Sequence, residues 1–307
     1  MKISKSIAIY ASAVAFANFA MVEGSLEKKD NILSKTLATP LESEAPCQQS
    51  KVVGAVSIIL TDGTKYSGTV NSRNEPHGRG AVTYRDGSIY EGHFVNGRRE
   101  GAGTLTLPSG ASYDGNWVND LREGHGTTVY ADGGIYAGNW VHDRREGEGT
   151  LKRPDGGKYE GPLGHNLAHG HGKMTCADGA VYAGGWANNR PHGHGKMTYT
   201  DGSVYVGAWV NNLAHGQGTR TYTDGRIYVG AWVNNLAHGH GKMTYADGSD
   251  YVGAWVNDRR EGHGTMTYSD GRTFEGQWLG DLMHGTGTMT YPNGANHTGT
   301  WVHGMRP

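Results

Sequence analysis

Phenylalanine is nearly missing from this chain: 4 in 307 residues, against 17 Tyr and 8 Trp. That scarcity, with a mean hydropathy of -0.59, excludes a thick apolar core. Aromatics that keep a polar handle suit a thin structure, with rings held between core and water. Cysteine is scarce too. Two residues, Cys47 and Cys176, are too few for a disulfide framework. Cys176 reads as a small buried side chain, and whether it pairs with Cys47 in an oxidising compartment stays open. An excess of either charge is also absent, with 28 Lys+Arg against 29 Asp+Glu. A nucleic-acid binder would carry a basic excess, so no nucleic-acid partner is expected.

Catalytic signatures are lacking as well. There is no G-x-S-x-G, no H-E-x-x-H and no lone Cys–His pair. The stretch Gly193-His194-Gly195-Lys196-Met197-Thr198 mixes the residue types of a phosphate loop. However, Met197 separates Lys from Thr, and Arg190 holds the slot where glycine is needed. The chain reads as no enzyme, with no cofactor.

The one apolar run is N-terminal. Lys2 and Lys5 precede the run Ile7 to Ala17, and Ala15-Phe16-Ala17 offers a small-residue cleavage site. Residues 1–22 read as a signal peptide, or as a membrane anchor if uncleaved. The expected location is secreted or periplasmic. Residues 23–51, polar with Pro40 and Pro46, read as a partly disordered linker. Residues 52–307 read as one array.

Glycine is plentiful, 51 residues, without the collagen period of three. An offset of 23 residues aligns the chain on itself from Tyr90 onward, the first interval being 24. One column runs Tyr113, Tyr136, Tyr159, Tyr182, Tyr205, Tyr228, Tyr251 and then Phe274. Two residues on, every unit has Gly. Two further on stand all 8 tryptophans, from Trp117 and Trp140 through Trp186, Trp209, Trp232 and Trp255 to Trp278 and Trp301. Asp-Gly recurs as a hairpin signal, and His/Glu-Gly-x-Gly is read as the opening of each hairpin.

Alternation puts Tyr251, Gly253 and Trp255 on one face, and Gly241, Met243 and Tyr245 on the matching face of the preceding strand. A two-residue loop would set Tyr251 against Thr244. A three-residue loop of Ala246, Asp247 and Gly248, with a G1 bulge, pairs Tyr251 with Met243 and Trp255 with Gly239. The interior glycines then leave room for rings. The expected fold is all-β: a single-layer twisted antiparallel sheet or solenoid of about eleven stacked 23-residue hairpins. At two strands per unit it would form a rod on the order of 100 Å. Pro162 and Leu163 interrupt the pattern, and the strip is expected to bend or loosen there.

The combination Y-x-G-x-W, H-G-x-G and D-G closely resembles the MORN (membrane occupation and recognition nexus) repeat, over roughly residues 58–307. Some chains with this repeat carry a kinase or methyltransferase domain. Here the repeats run into Trp301, and no such domain is expected. The resemblance implies a scaffold that binds a protein partner or itself, or one that reads anionic membrane lipid.

Two candidate surfaces follow. The aromatic columns (Tyr113, Trp117, Tyr136, Trp140, Tyr182, Trp186, Tyr205, Trp209, Tyr228, Trp232, Tyr251, Trp255) form one, able to stack on a peptide or, weakly, on glycans. The pairs Arg98/Arg99, Arg144/Arg145 and Arg259/Arg260 form the other, a basic edge facing lipid head groups. The pairs His169/His171, His192/His194 and His238/His240 have metal-ligand types at strand spacing. Glu holds the first His slot at Glu100, Glu123, Glu146 and Glu261, which favours a hydrogen-bonding role, and no metal is expected.

Overall fold

A computed structural model describes residues 55–60 and 62–305. The segments read as signal peptide and linker, and Cys47, lie outside the described residues. Among the described residues no helix forms, and successive strands pair antiparallel. The chain divides into two compact units, with the boundary between Ala168 and His169. The same hairpin builds each unit.

The strands Ile227–Val233, Leu236–Thr244 and Asp250–Val256 show the plan. Tyr245 to Ser249 form the expected three-residue turn. Gly248 N–H donates to Tyr245 O at 3.0 Å, and Tyr245 N–H donates to Ser249 O at 2.8 Å. Gly248 sits at φ +85°, the left-handed position of a G1 bulge. Met243 lies opposite Tyr251 and Gly239 opposite Trp255, so the register follows the odd loop.

The other end of each hairpin differs from expectation. It is closed by Asn234–Asn235, at φ 50° and 71°, with Val233 paired to Leu236. Two consecutive left-handed residues make a type I′ turn, whose twist matches the strands. His-Gly-x-Gly does not open the hairpin. It forms a bulge, in which Gly230 pairs with Gly241 and Trp232 with Ala237. Residues 238–240 therefore lie opposite Ala231 alone, and Gly239 takes φ +78°. A run of extra residues on one strand bends it, and glycine permits the backbone angle.

Successive repeats are stitched at the type I′ turns. Asp258 N–H donates to Ala237 O at 2.9 Å, and Asp258 Oδ1 accepts Ala237 N–H at 2.7 Å. Asn235 and Ala214 repeat the exchange. The Asn/Asp column thus does two jobs: it tolerates positive φ and its side chain pairs with a backbone amide.

Pro162 does not end its strand. Lys158–Gly164 runs through it with Leu163 opposite Gly147, and the Tyr159 hydroxyl still donates to Pro162 O at 2.9 Å. The interruption comes later. Sister repeats have one strand such as Arg144–Lys152, but here Leu167–Ala168 and Gly170–Thr175 are separated at His169.

Candidate functional site

The aromatic columns lie in the core. Tyr228 is 0% exposed and Trp232 2%. Their rings meet edge to face at 5.1 Å, and Tyr228 meets Trp255 of the next repeat at 5.3 Å. Tyr113, Tyr136, Tyr182, Tyr205 and Tyr251 are buried alike, as are Trp117, Trp140, Trp186, Trp209 and Trp255. Each contact contributes about 0.5–1.5 kcal/mol beyond area burial. The polar handles are used internally. The Tyr228 hydroxyl donates to Ala231 O at 3.0 Å, and Trp232 Nε1 donates to Gly218 O at 3.2 Å. A Cβ on Gly241 would fall on the Tyr228 ring, 2.5 Å from Cζ. The reading of these columns as a peptide- or glycan-stacking surface is thereby corrected: the bulge and the glycine pair close over the rings. Burial also pushes the Tyr136 and Tyr251 phenols up to about 12, with Arg145 and Arg260 opposing.

The basic edge separates into two sets. Arg98, Arg144 and Arg259 are exposed. Arg99 and Arg145 are buried at 5% and 7%, and Arg260 is half-buried. Arg99 lies 4.0 Å from the Trp117 ring centre. Its Nε donates to Asp120 Oδ1 at 3.2 Å and its Nη2 to Asp120 O at 2.8 Å. Arg122 with Trp140 and Asp143, and Arg260 with Trp278 and Asp281, repeat this clamp. Arg145 takes Asn166 instead. These inward guanidiniums cover the core and are not an edge for head groups, because a turn residue of the next repeat holds each one.

The Glu slot bonds as its alternation with His implied. Glu100 Oε2 accepts Asn119 N–H at 3.0 Å, and Glu123, Glu146 and Glu261 accept at the following turns. His replaces Glu at six of these slots, and at three of them, His77, His238 and His284, Nδ1 is buried without a partner. His240, by contrast, is exposed on the outer face. Among the described residues no three His, Cys, Asp or Glu side chains gather as a metal cluster. Cys176 is buried at 7% exposure.

One residue escaped the sequence reading. The inward column opposite the tyrosines runs Val82, Leu105, Thr128, Leu151, Met174, Met197, Arg220, Met243, Met266 and Met289. Arg220 alone is charged. It pairs in register with Tyr205 and Tyr228. Its guanidinium lies between Tyr199 and Tyr222, 4.7 and 4.9 Å from their ring centres. Nε is buried with no hydrogen-bond partner, and Nη2 reaches Ser203 Oγ only at 3.5 Å. Burial raises the Tyr199 and Tyr222 phenols, with the Arg220 charge opposing. Burial also raises the Asp258 carboxyl, offset first by its Ala237 bond and then by Arg220. The clamp position of this stretch is Ala168, Pro191, Ala214 and Ala237, so no clamping guanidinium competes there. The signal was present as one odd member of an otherwise apolar column.

Stacked hairpins joined by nearest-neighbour bonds define a β-repeat protein. The MORN repeat model matches ten consecutive stretches, from residues 66–89 to 274–295. The chain belongs to the MORN repeat family. No curated protein matches it. Among solved structures, the TCP10 domain of Danio rerio CPAP in complex with a STIL peptide is 14% identical, with TM-score 0.35, over 81% of this chain and 100% of that one. The TCP domain of Drosophila melanogaster SAS-4 with a proline-rich motif of Ana2 is 14% identical, with TM-score 0.26, over 70% and 99%. A streptogramin B lyase is 11% identical, with TM-score 0.15, over 82% and 84%. At such TM-scores these likenesses carry no argument.

Proposed function

We propose that this chain is a non-catalytic repeat scaffold that binds a protein partner or a second copy through an extended face. The supporting observation is the outer face of residues 204–256. Val206, Val229 and Val252 occupy the same place in consecutive repeats and are 39%, 50% and 39% exposed. Ala208, Ala231 and Ala254 continue each line, and Lys196 and Lys242 stand beside them in register. A row of exposed aliphatics flanked by charge is the composition of an interaction surface. Residues 1–22 support an extracytoplasmic setting. Light scattering and cross-linking of the purified chain, alone and with candidate partner proteins, test the proposal. Oligomers or a saturable complex lost on Val229→Lys are expected. A strict monomer that binds no protein would overturn it.

The exposed Arg98, Arg144 and Arg259 favour a second reading, contact with anionic lipid, at about 1 kcal/mol per basic residue near the surface. Sedimentation with phosphoinositide vesicles decides it. Salt-sensitive binding lost on Arg98→Ser/Arg144→Ser/Arg259→Ser is expected, and no binding at low ionic strength removes it.

A further inference from the structure

The inner guanidiniums of this protein fall into three kinds, of which Arg145 is one by itself: buried, bonded to the neutral Asn166, with Nη1 enclosed and unpartnered. Arg99, Arg122 and Arg260 each give Nε and Nη2 to a turn aspartate, which satisfies the fork and neutralises it. Arg220 has the same planar fork but no carboxylate within bonding distance; its only hydrogen bond is the long one to Ser203. Nε is buried and unsatisfied, whereas Nη1 has no partner and is not among the buried unpartnered atoms. The side chain is half-buried and its plane is held by rings on two sides. Such a group has already given up much of its hydration and rotamer freedom, so little more is lost when an anion arrives. The neighbouring residues also suit a contact centre. Tyr and Arg are the types that dominate binding hot spots, and both tyrosines are half-buried. The usual occupant of this column is Met, which would fill the space with no unsatisfied atom.

Resting on the scaffold reading above, we propose that Arg220, flanked by Tyr199 and Tyr222, is the anion-reading centre of the inner face and takes an acidic side chain from an extended segment of a partner protein. The carboxylate bonds the outer edge of the fork, and the tyrosine rings hold the guanidinium in place. Arg220 acts here as a binding residue and takes part in no reaction.

The test uses the full chain and a fluorescein-labelled decapeptide of alternating Glu and Ala, with its Gln/Ala counterpart. Anisotropy titrations are run at low and at physiological ionic strength. The Glu peptide is expected to bind about tenfold more tightly than the Gln peptide, since a charge-assisted bond is roughly twice as strong as a neutral one. The preference should shrink with salt. Arg220→Met should abolish it, Arg220→Lys should keep part of it, and Arg98→Met should leave it intact. Arg220→Met restores the common residue of the column, so its Tm should equal or exceed that of the parent. Equal affinity for both peptides, or a preference that survives Arg220→Met, overturns the proposal. So does a lower Tm for Arg220→Met, which would make the residue structural. Binding of inorganic phosphate or phosphatidylserine vesicles that depends on Arg220, without binding of the Glu peptide, overturns the assignment to a protein carboxylate. The scaffold reading fails separately, in the cross-linking experiment.

Discussion

At Gly241 a single methyl group would collide with the Tyr228 ring, so the absence of a side chain is itself a packing element. Gly241→Ala is expected to cost about 1–3 kcal/mol, the usual range for overpacking. The cost should largely vanish in a Tyr228→Ala background, because the two residues share one contact. Urea midpoints of the four species in that cycle measure the coupling. The tyrosines make a second prediction. In the unfolded chain a phenol titrates near 10, while Tyr136 and Tyr251 are held up to about 12 in the fold. The unfolded chain therefore releases its protons first. The stability that comes from keeping these phenols neutral is whole below about pH 10 and is lost as pH rises through the folded values. Circular dichroism across an alkaline titration should show unfolding above pH ~10, shifted upward in Tyr136→Phe/Tyr251→Phe. A folded state insensitive to alkali would contradict this.

At the scale of the hairpin, one turn was legible in the sequence and the other was not. The Asp-Gly turn could be deduced because Tyr251 had to face Met243, and only an odd loop allows that. The Asn234–Asn235 turn was missed because alternation says nothing about the sign of φ, and because His-Gly-x-Gly, the more visible motif, was given its place. The aromatic columns were legible as a repeat. Their burial was not, since period two gives a face without saying what closes over it. Arg220 was invisible for a related reason: a column is read by its majority. The turn carries its own prediction. Asn234→Ala/Asn235→Ala places two alanines at left-handed angles and should cost about 1–2 kcal/mol per residue, whereas Asn234→Gly, which keeps the Asn235 bond to Ala214, should be neutral. Amide hydrogen exchange across Ile227–Val233 and Leu236–Thr244 reads the difference.

Within each compact unit, the bonds described between repeats, such as Ala214–Asn235 and Ala237–Asp258, run between nearest neighbours, so stability is a sum of local terms. Trp232→Ala is expected to cost about 3–5 kcal/mol, but the loss should stay close to its source. Protection against hydrogen exchange should fall over the strands flanking Trp232 and remain unchanged in strands Ser112–Val118 and Ile135–Val141 of the other unit. Loss of protection in both units together would mean that the chain unfolds as one cooperative body. The same locality shapes function. Because most conspicuous residues recur and are occupied in packing, specificity has to come from departures such as Arg220 and from the run of exposed valines.

The two kinds of turn also set where this protein can accept new sequence. Most type I′ turns, though not Asn211–Asn212 opposite Pro191, are tied to the repeat before them through a backbone amide and an Asn or Asp side chain, so a segment inserted at Asn257–Asp258 would cut the seam. The Asp-Gly turn at residues 246–248 is exposed and bonds only within its own hairpin. Lengthening a flexible loop costs only about 0.6 kcal/mol per doubling. Grafted epitopes, protease sites or natural length variants should therefore be carried along the Asp-Gly margin, repeat after repeat, while the Asn/Asp margin keeps its length.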